Sequence, residues 1–117
     1  MGVAIKRVYE PAEPGDGTRI LIDRLWPRGL SKERAAVDRW EKELAPSDEL
    51  RRDFDHRPER FDDFRARYLE ELAARWDRVE AIAAEAKDGP VTIVYGAREE
   101  RYNNAVVLAE AVDRVRR

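Results

Sequence analysis

The chain has 117 residues and a mass of 13.6 kDa, material for one hydrophobic core at the usual ~100–200 residues per domain. Cysteine is absent, which excludes disulfides, thiol nucleophiles, iron–sulfur ligation and all-cysteine zinc sites. With 25 acidic against 23 basic residues, a net charge of -2 and a pI near 5.6, the chain is ill suited to gripping a phosphate backbone along its surface, and bulk nucleic-acid binding is not expected.

Val3, Ile5, Val8 and Tyr9 read as a short first strand, followed by a Pro/Gly-rich loop over residues 11–17. Ile20-Leu21-Ile22 reads as a second strand, apolar enough to be buried on both faces. Ser31 suits a helix cap, whereas Ala35 to Trp40 fits either a helix or an edge strand with Ala36, Asp38 and Trp40 on one side. Ser47 caps a helix that opens on Asp48-Glu49, acids favoured at the positive end of the helix dipole, and turns Leu50 and Phe54 inward. From Pro58 a single apolar stripe runs through Phe61, Phe64, Tyr68, Leu72, Trp76, Val79, Ala83 and Ala86 at three- and four-residue spacing. Unbroken to Lys87, that helix would span ~45 Å at 1.5 Å per residue. A compact domain of this size is only roughly 35 Å across, so the spacing predicts a break near Ala73 to Trp76.

Gly89-Pro90 launches a third strand, Val91 to Tyr95, and Gly96 stops it. Asn103 or Asn104 then caps a last helix that turns Ala105, Leu108, Val112 and Val115 inward and ends in arginines. Together these elements predict one α/β domain over residues 1–117. It is a Rossmann-like sandwich with a small sheet of about three or four strands, parallel or mixed, packed by about four helices. If the first two strands are neighbours, the short connection makes them antiparallel; if another strand separates them, they can be parallel. Lys6 and Arg7 interrupt any leader-like apolar run, and no uncharged segment is long enough to span a bilayer, so a cytoplasmic protein without membrane association is expected.

The densest chemical signal is Asp23-Arg24-Leu25-Trp26-Pro27-Arg28-Gly29, directly after the second strand. Pro27 disfavours helix at Trp26 and Gly29 permits positive φ, so the chain must turn there. In open α/β sheets ligands bind beyond the carboxyl ends of strands, and Arg24 and Arg28 supply planar, two-pronged donors for phosphate or carboxylate. Trp26 and Trp40 can wall such a pocket. In the competing reading Asp23 and nearby acids such as Asp38 and Glu41 quench the arginines in internal ion pairs. The loop after the third strand, with Tyr95, Arg98, Asn103 and Asn104, converges on the same crevice if the two strands are parallel.

His56, the single histidine, is the one acid–base candidate by residue type, and equally a local partner of Asp53 or Asp55. No metal is assigned, because one histidine cannot make a usual zinc set and nothing motivates an all-carboxylate site at Asp53, Asp55, Asp62 and Asp63. No cofactor and no oligomeric state is indicated. The sequence thus predicts a pocket for a small anionic ligand, phosphate- or nucleotide-like, between the loops after the second and last strands. The alternative is a non-catalytic structural or protein-interaction module whose arginines are internally paired; whether the chain is an enzyme stays open.

Several runs carry a resemblance. They are Arg7-Val8-Tyr9, Asp16-Gly17, Arg19 through Gly29, Ser31-Lys32-Glu33, Trp40, Ala45-Pro46-Ser47, Leu50-Arg51, His56, Phe64-Arg65, Arg67-Tyr68, Glu71-Leu72, Thr92 through Ala97 and Asn103-Asn104-Ala105. Over nearly its whole length the chain resembles the YeaO-like branch of the domain of unknown function 488 family. The resemblance implies a small, cytosolic, bacterial-type α/β protein in a family without an established activity. It marks Asp23, Arg24, Trp26, Arg28, Trp40, His56, Tyr95 and Asn104 as site members without assigned roles. Larger relatives often carry a Cys/His/Arg cluster where this chain has Tyr95 and Asn103-Asn104-Ala105, so no thiol- or histidine-dependent role carries over.

Overall fold

The computed structural model describes residues 3–116. Four strands form the sheet: β1 (Ala4–Arg7), β2 (Thr18–Leu21), β3 (Arg39–Trp40) and β4 (Val91–Tyr95), in the order β1-β4-β2-β3 with every neighbour parallel. β4 is buried along its whole length, as a strand with helices on one face and loops on the other must be. It inserts between β1 and β2 and thereby resolves the direction left open by the short first connection. Residues 8–17 are fewer than a usual parallel crossover of about a dozen or more. They close because a 3-10 turn at Pro14–Asp16 compacts them and Lys6 reaches across to Glu13 (2.8 Å) and Asp16 (3.2 Å).

Five α-helices accompany the sheet: α1 (Lys32–Ala35), α2 (Asp48–Phe54), α3 (Phe61–Ala73), α4 (Trp76–Asp88) and α5 (Asn104–Arg116). The long apolar stripe breaks between Ala73 and Trp76, in a molecule whose longest dimension is 36 Å. α2 to α5 bury Phe54, Phe64, Tyr68, Leu72, Ile82 and Leu108 against Ile20, Val91 and Ile93 on one face of the sheet. The opposite face carries the smaller cluster of Val8, Leu21, Ala35 and Val94, covered by Trp26, Leu30, Val37 and Trp40. Among the described residues no helix is long and apolar enough to cross a membrane.

The edge differs from the expectation for residues 35–40. Ser31 caps α1 by accepting from the Arg34 amide (3.1 Å), and Ala36 ends it in the left-handed region at φ 49°, leaving only Arg39 and Trp40 as strand. Asp38 replaces the missing ladder: its carboxylate accepts from the Arg19 amide (2.8 Å) while its own amide donates to the Arg19 carbonyl (2.9 Å). β3 is then stitched to α4 through charge. Arg39 pairs with Glu41 (2.9 Å) and Glu85 (2.5 Å), and Arg78 of α4 pairs with the same Glu41 (2.8 Å). Burial opposes ionisation of Glu41, but the bonds from Arg78 and Arg39 outweigh it and hold the carboxyl below its ordinary range.

A second charged clip is almost fully buried. Arg19, 2% exposed, donates to Asp16 (2.8 Å), to the carbonyl of Ala35 (2.8 Å) and to that of Val8 (3.4 Å). One side chain thus joins the ends of β1 and α1 to the first connection. Without Arg19 the buried carbonyls of Ala35 and Val8 lose this donor, at about 1–3 kcal/mol per stranded group, while Asp16 keeps Lys6. Arg19→Met should therefore lower unfolding free energy by about 2 kcal/mol or more in urea titrations, whereas Arg67→Met, at an exposed pair with Asp53, should cost less than about 1 kcal/mol. Equal effects at the two positions would contradict this assignment.

Candidate functional site

Because all four strands are parallel, their carboxyl ends open on one side, and the segments that leave them line a cleft of about 650 Å³. Tyr9 comes from the segment after β1, Asp23 to Arg28 from that after β2, Ala45 and Pro46 from that after β3, and Gly96 to Asn104 from that after β4. The α2 side closes it with Arg51, Phe54 and His56. α2 is fixed over the cleft by Ser47, which caps it (3.2 Å to the Leu50 amide) and donates its hydroxyl to Glu71 of α3 (2.6 Å).

Asp23 joins the two principal loops. One carboxylate oxygen accepts the Gly96 amide (2.8 Å) and the other accepts Asn104 Nδ2 (2.9 Å), which also reaches the Ile22 carbonyl (3.3 Å). A Cβ at position 96 would lie 2.9 Å from the Asp23 carboxylate, so a larger residue there would push that carboxylate off the Gly96 amide. The indole of Trp40 donates to the Asp23 carbonyl (2.7 Å), and Trp26, bonded to the Leu30 carbonyl (2.6 Å), meets Trp40 edge-on at 5.4 Å. Burial raises the Asp23 carboxyl above the usual carboxylate range; the bonds from Asn104 and Gly96 and the charges of Arg51 and His56 offset this only in part.

The cations are held differently. Arg24 places Nε 3.5 Å from Asp48 Oδ1, too far for a hydrogen bond, and that nitrogen is shielded from solvent without an acceptor. Arg51 Nη2 lies 3.2 Å from the same Asp48 oxygen. Arg28 is anchored through its backbone, whose carbonyl accepts the Tyr9 hydroxyl (2.9 Å), while its side chain is exposed. Among the described residues neither Arg28 nor Arg98 forms an ion pair. Asp38 and Glu41 are occupied by Arg19, Arg39 and Arg78, so neither quenches Arg24 or Arg28.

Asp23, Arg24, Trp26, Arg28, Arg98, Asn103 and Asn104 all line the cleft. Asn103 is the cap of α5, accepting the Val106 amide (3.0 Å) and donating to the Glu99 carbonyl (2.8 Å). Trp40 and Tyr95 lie outside the lining: Trp40 braces the Asp23 loop from behind, and Tyr95, 2% exposed, belongs to the core. His56 is exposed at the rim, placed there by two successive left-handed residues, Asp55 at φ 49° and His56 at φ 53°, each costing about 1–2 kcal/mol outside glycine. Among the described residues no group of three or more His, Asp or Glu side chains is arranged to hold a metal ion; Asp53 and Asp63 both pair with Arg67.

Sequence reasoning missed Arg51, Phe54, Phe64 and Tyr102. Phe54 and Phe64 read as core from helical spacing, and nothing local to Arg51 distinguishes it from its neighbour Arg52. The Asp23 strut makes its own prediction. Asp23→Ala leaves the Gly96 amide and the Asn104 side chain without an acceptor, at about 1–3 kcal/mol per stranded group. The cost depends on pH. Because the folded-state pKa is raised above the ordinary 3.8, the folded chain keeps a proton that the unfolded chain releases, and this contribution is fully present below 3.8 and lost as pH rises through the folded value. Urea titrations from pH 4 to 7 should show the advantage of wild type over Asp23→Ala shrinking with pH; a growing advantage would contradict the burial of this carboxyl.

Over residues 2–116 the chain matches the family described as the inactive DUF488-N3 subclade. It is 46% identical over 110 residues to the uncharacterized protein YeaO of Escherichia coli strain K12, covering 94% of this chain and 96% of that protein. It is 41% identical over 113 residues to the uncharacterized protein Rv3073c of Mycobacterium tuberculosis strain H37Rv, covering 95% and 93% respectively. No solved structure matches the chain significantly. The conserved length and the match across both cleft-forming loops establish that this chain belongs to the DUF488 family, in the subclade described as inactive DUF488-N3.

Proposed function

We propose that the chain is a cytoplasmic binding protein for a small anionic, phosphate-bearing ligand, held in the cleft without turnover. The observation that carries this reading is the pair Arg28 and Arg98, which face the cleft from different loops and form no ion pair among the described residues. The arginines that hold elements together are paired, as at Arg19, Arg39, Arg65, Arg67 and Arg78, and unpaired guanidiniums that face a concavity are what an anion site needs. Arg24 and Arg51 add two more cations and share one acceptor, Asp48. The subclade's description as inactive supports binding rather than catalysis, and the reading assigns His56 no proton transfer.

The alternative of an internally paired structural module describes the β3–α4 network and the Arg24 and Arg51 contacts to Asp48, but it gives Arg28 and Arg98 no internal partner. A melting series against inorganic phosphate, sugar phosphates and dicarboxylates separates the two. A ligand at ~100 times its dissociation constant stabilises by about 2.7 kcal/mol, several degrees for a domain of this size. Arg28→Ala and Arg98→Ala should each abolish the shift while changing the ligand-free stability by less than about 0.5 kcal/mol, as surface substitutions do. No stabilisation of wild type by any anion in the series would sink the binding reading.

A further inference from the structure

The cleft is not a pure anion hole. At about 650 Å³ it exceeds many times over the space of a tetrahedral anion, which displaces only a few waters of ~30 Å³ each, and lies in the range of sites for whole organic ligands. One wall is apolar and aromatic. Phe54 and Phe64 stack at 4.5 Å, and Tyr102 meets Phe61 edge-on at 5.2 Å, so the rings are braced by one another before any ligand arrives. Among the described residues the exposed large hydrophobics are Ile5, Tyr9, Leu25 and Tyr102, and the last three all lie on the cleft. Two exposed tyrosine rings, Tyr9 and Tyr102, at a concave site, beside guanidiniums that also stack on flat π-systems, suit a planar partner.

Charge limits how many phosphates that partner carries. Arg24, Arg28, Arg51 and Arg98 line the cleft against the carboxylates of Asp23 and Glu99, a surplus of two cations, part of which Asp48 offsets from behind Arg24 and Arg51. A single phosphate monoester, with about -1.5 to -2 charges at neutral pH, matches that surplus; a triphosphate does not.

Resting on the anion-binding reading, we infer that the occupant is a free nucleoside monophosphate, its phosphate on Arg28 and Arg98 and its base against the exposed ring of Tyr102, which Phe61 braces from behind. Calorimetric titration of the intact chain with inorganic phosphate, adenosine, adenosine and uridine monophosphates, adenosine triphosphate and a short single-stranded oligonucleotide tests it. At least one monophosphate should bind tenfold or more tighter than both inorganic phosphate and the nucleoside. Tyr102→Ala should erase that surplus and leave phosphate binding intact, with Tyr102→Phe retaining it as a check that the fold persists. If phosphate binds and no monophosphate exceeds it, or if Tyr102→Ala leaves the surplus untouched, this inference fails while the anion site stands. Tighter binding of the triphosphate or the oligonucleotide, by tenfold or more, also overturns it. If nothing binds, both readings fall together.

Discussion

Asp23 is the constraint on which the cleft depends. It stands at the carboxyl end of β2 and spends both carboxylate oxygens on the neighbouring unit, one on the Gly96 amide after β4 and one on the side chain of Asn104 at the start of α5. Two loops that would otherwise move independently become one rim. The acid is therefore not available as the internal partner of Arg24 or Arg28, which is why cations persist at this site in a chain so rich in acids. Its position under Arg51 and His56 adds a negative charge at the floor of a cationic cleft, and burial resists that charge.

The rest of the molecule manages its charge in the opposite way. At the β3 edge, Arg39, Glu41, Arg78 and Glu85 form a continuous network between strand and α4. On the other side, Arg19 is buried among Asp16 and two backbone carbonyls. These pairs hold a two-residue strand and a short parallel crossover, both of which lack enough backbone hydrogen bonds to hold themselves. These paired arginines supply structure, whereas Arg28 and Arg98 face the cleft without an ion pair among the described residues.

Much of this was legible in the sequence. Strand composition located β2 and β4, Ser47 marked the start of α2, and a helix longer than the molecule had to break where α3 ends. The Asp23 to Gly29 run was recognisable because Pro27 and Gly29 force a turn after a buried strand. Less legible were features that exist only once distant segments meet. Asp38 imitates a strand with its side chain, which no β-propensity reports. Arg51 and Tyr102 sit beside the cleft only because the Ser47–Glu71 bonds fix α2 and Phe61 braces Tyr102. Trp40 and Tyr95 drew attention as aromatics next to polar loops, yet the pleat of β4 turns Tyr95 into the helix-side core, and Trp40 supports the loop instead of facing its cavity.

The most direct measurement is crystallographic. Crystals grown with tungstate, a heavy tetrahedral oxyanion, locate bound anions by anomalous scattering without assuming a ligand. The account predicts a peak inside the cleft within hydrogen-bond reach of the Arg28 and Arg98 guanidiniums. An empty cleft, with tungstate bound only at other surfaces, would contradict it.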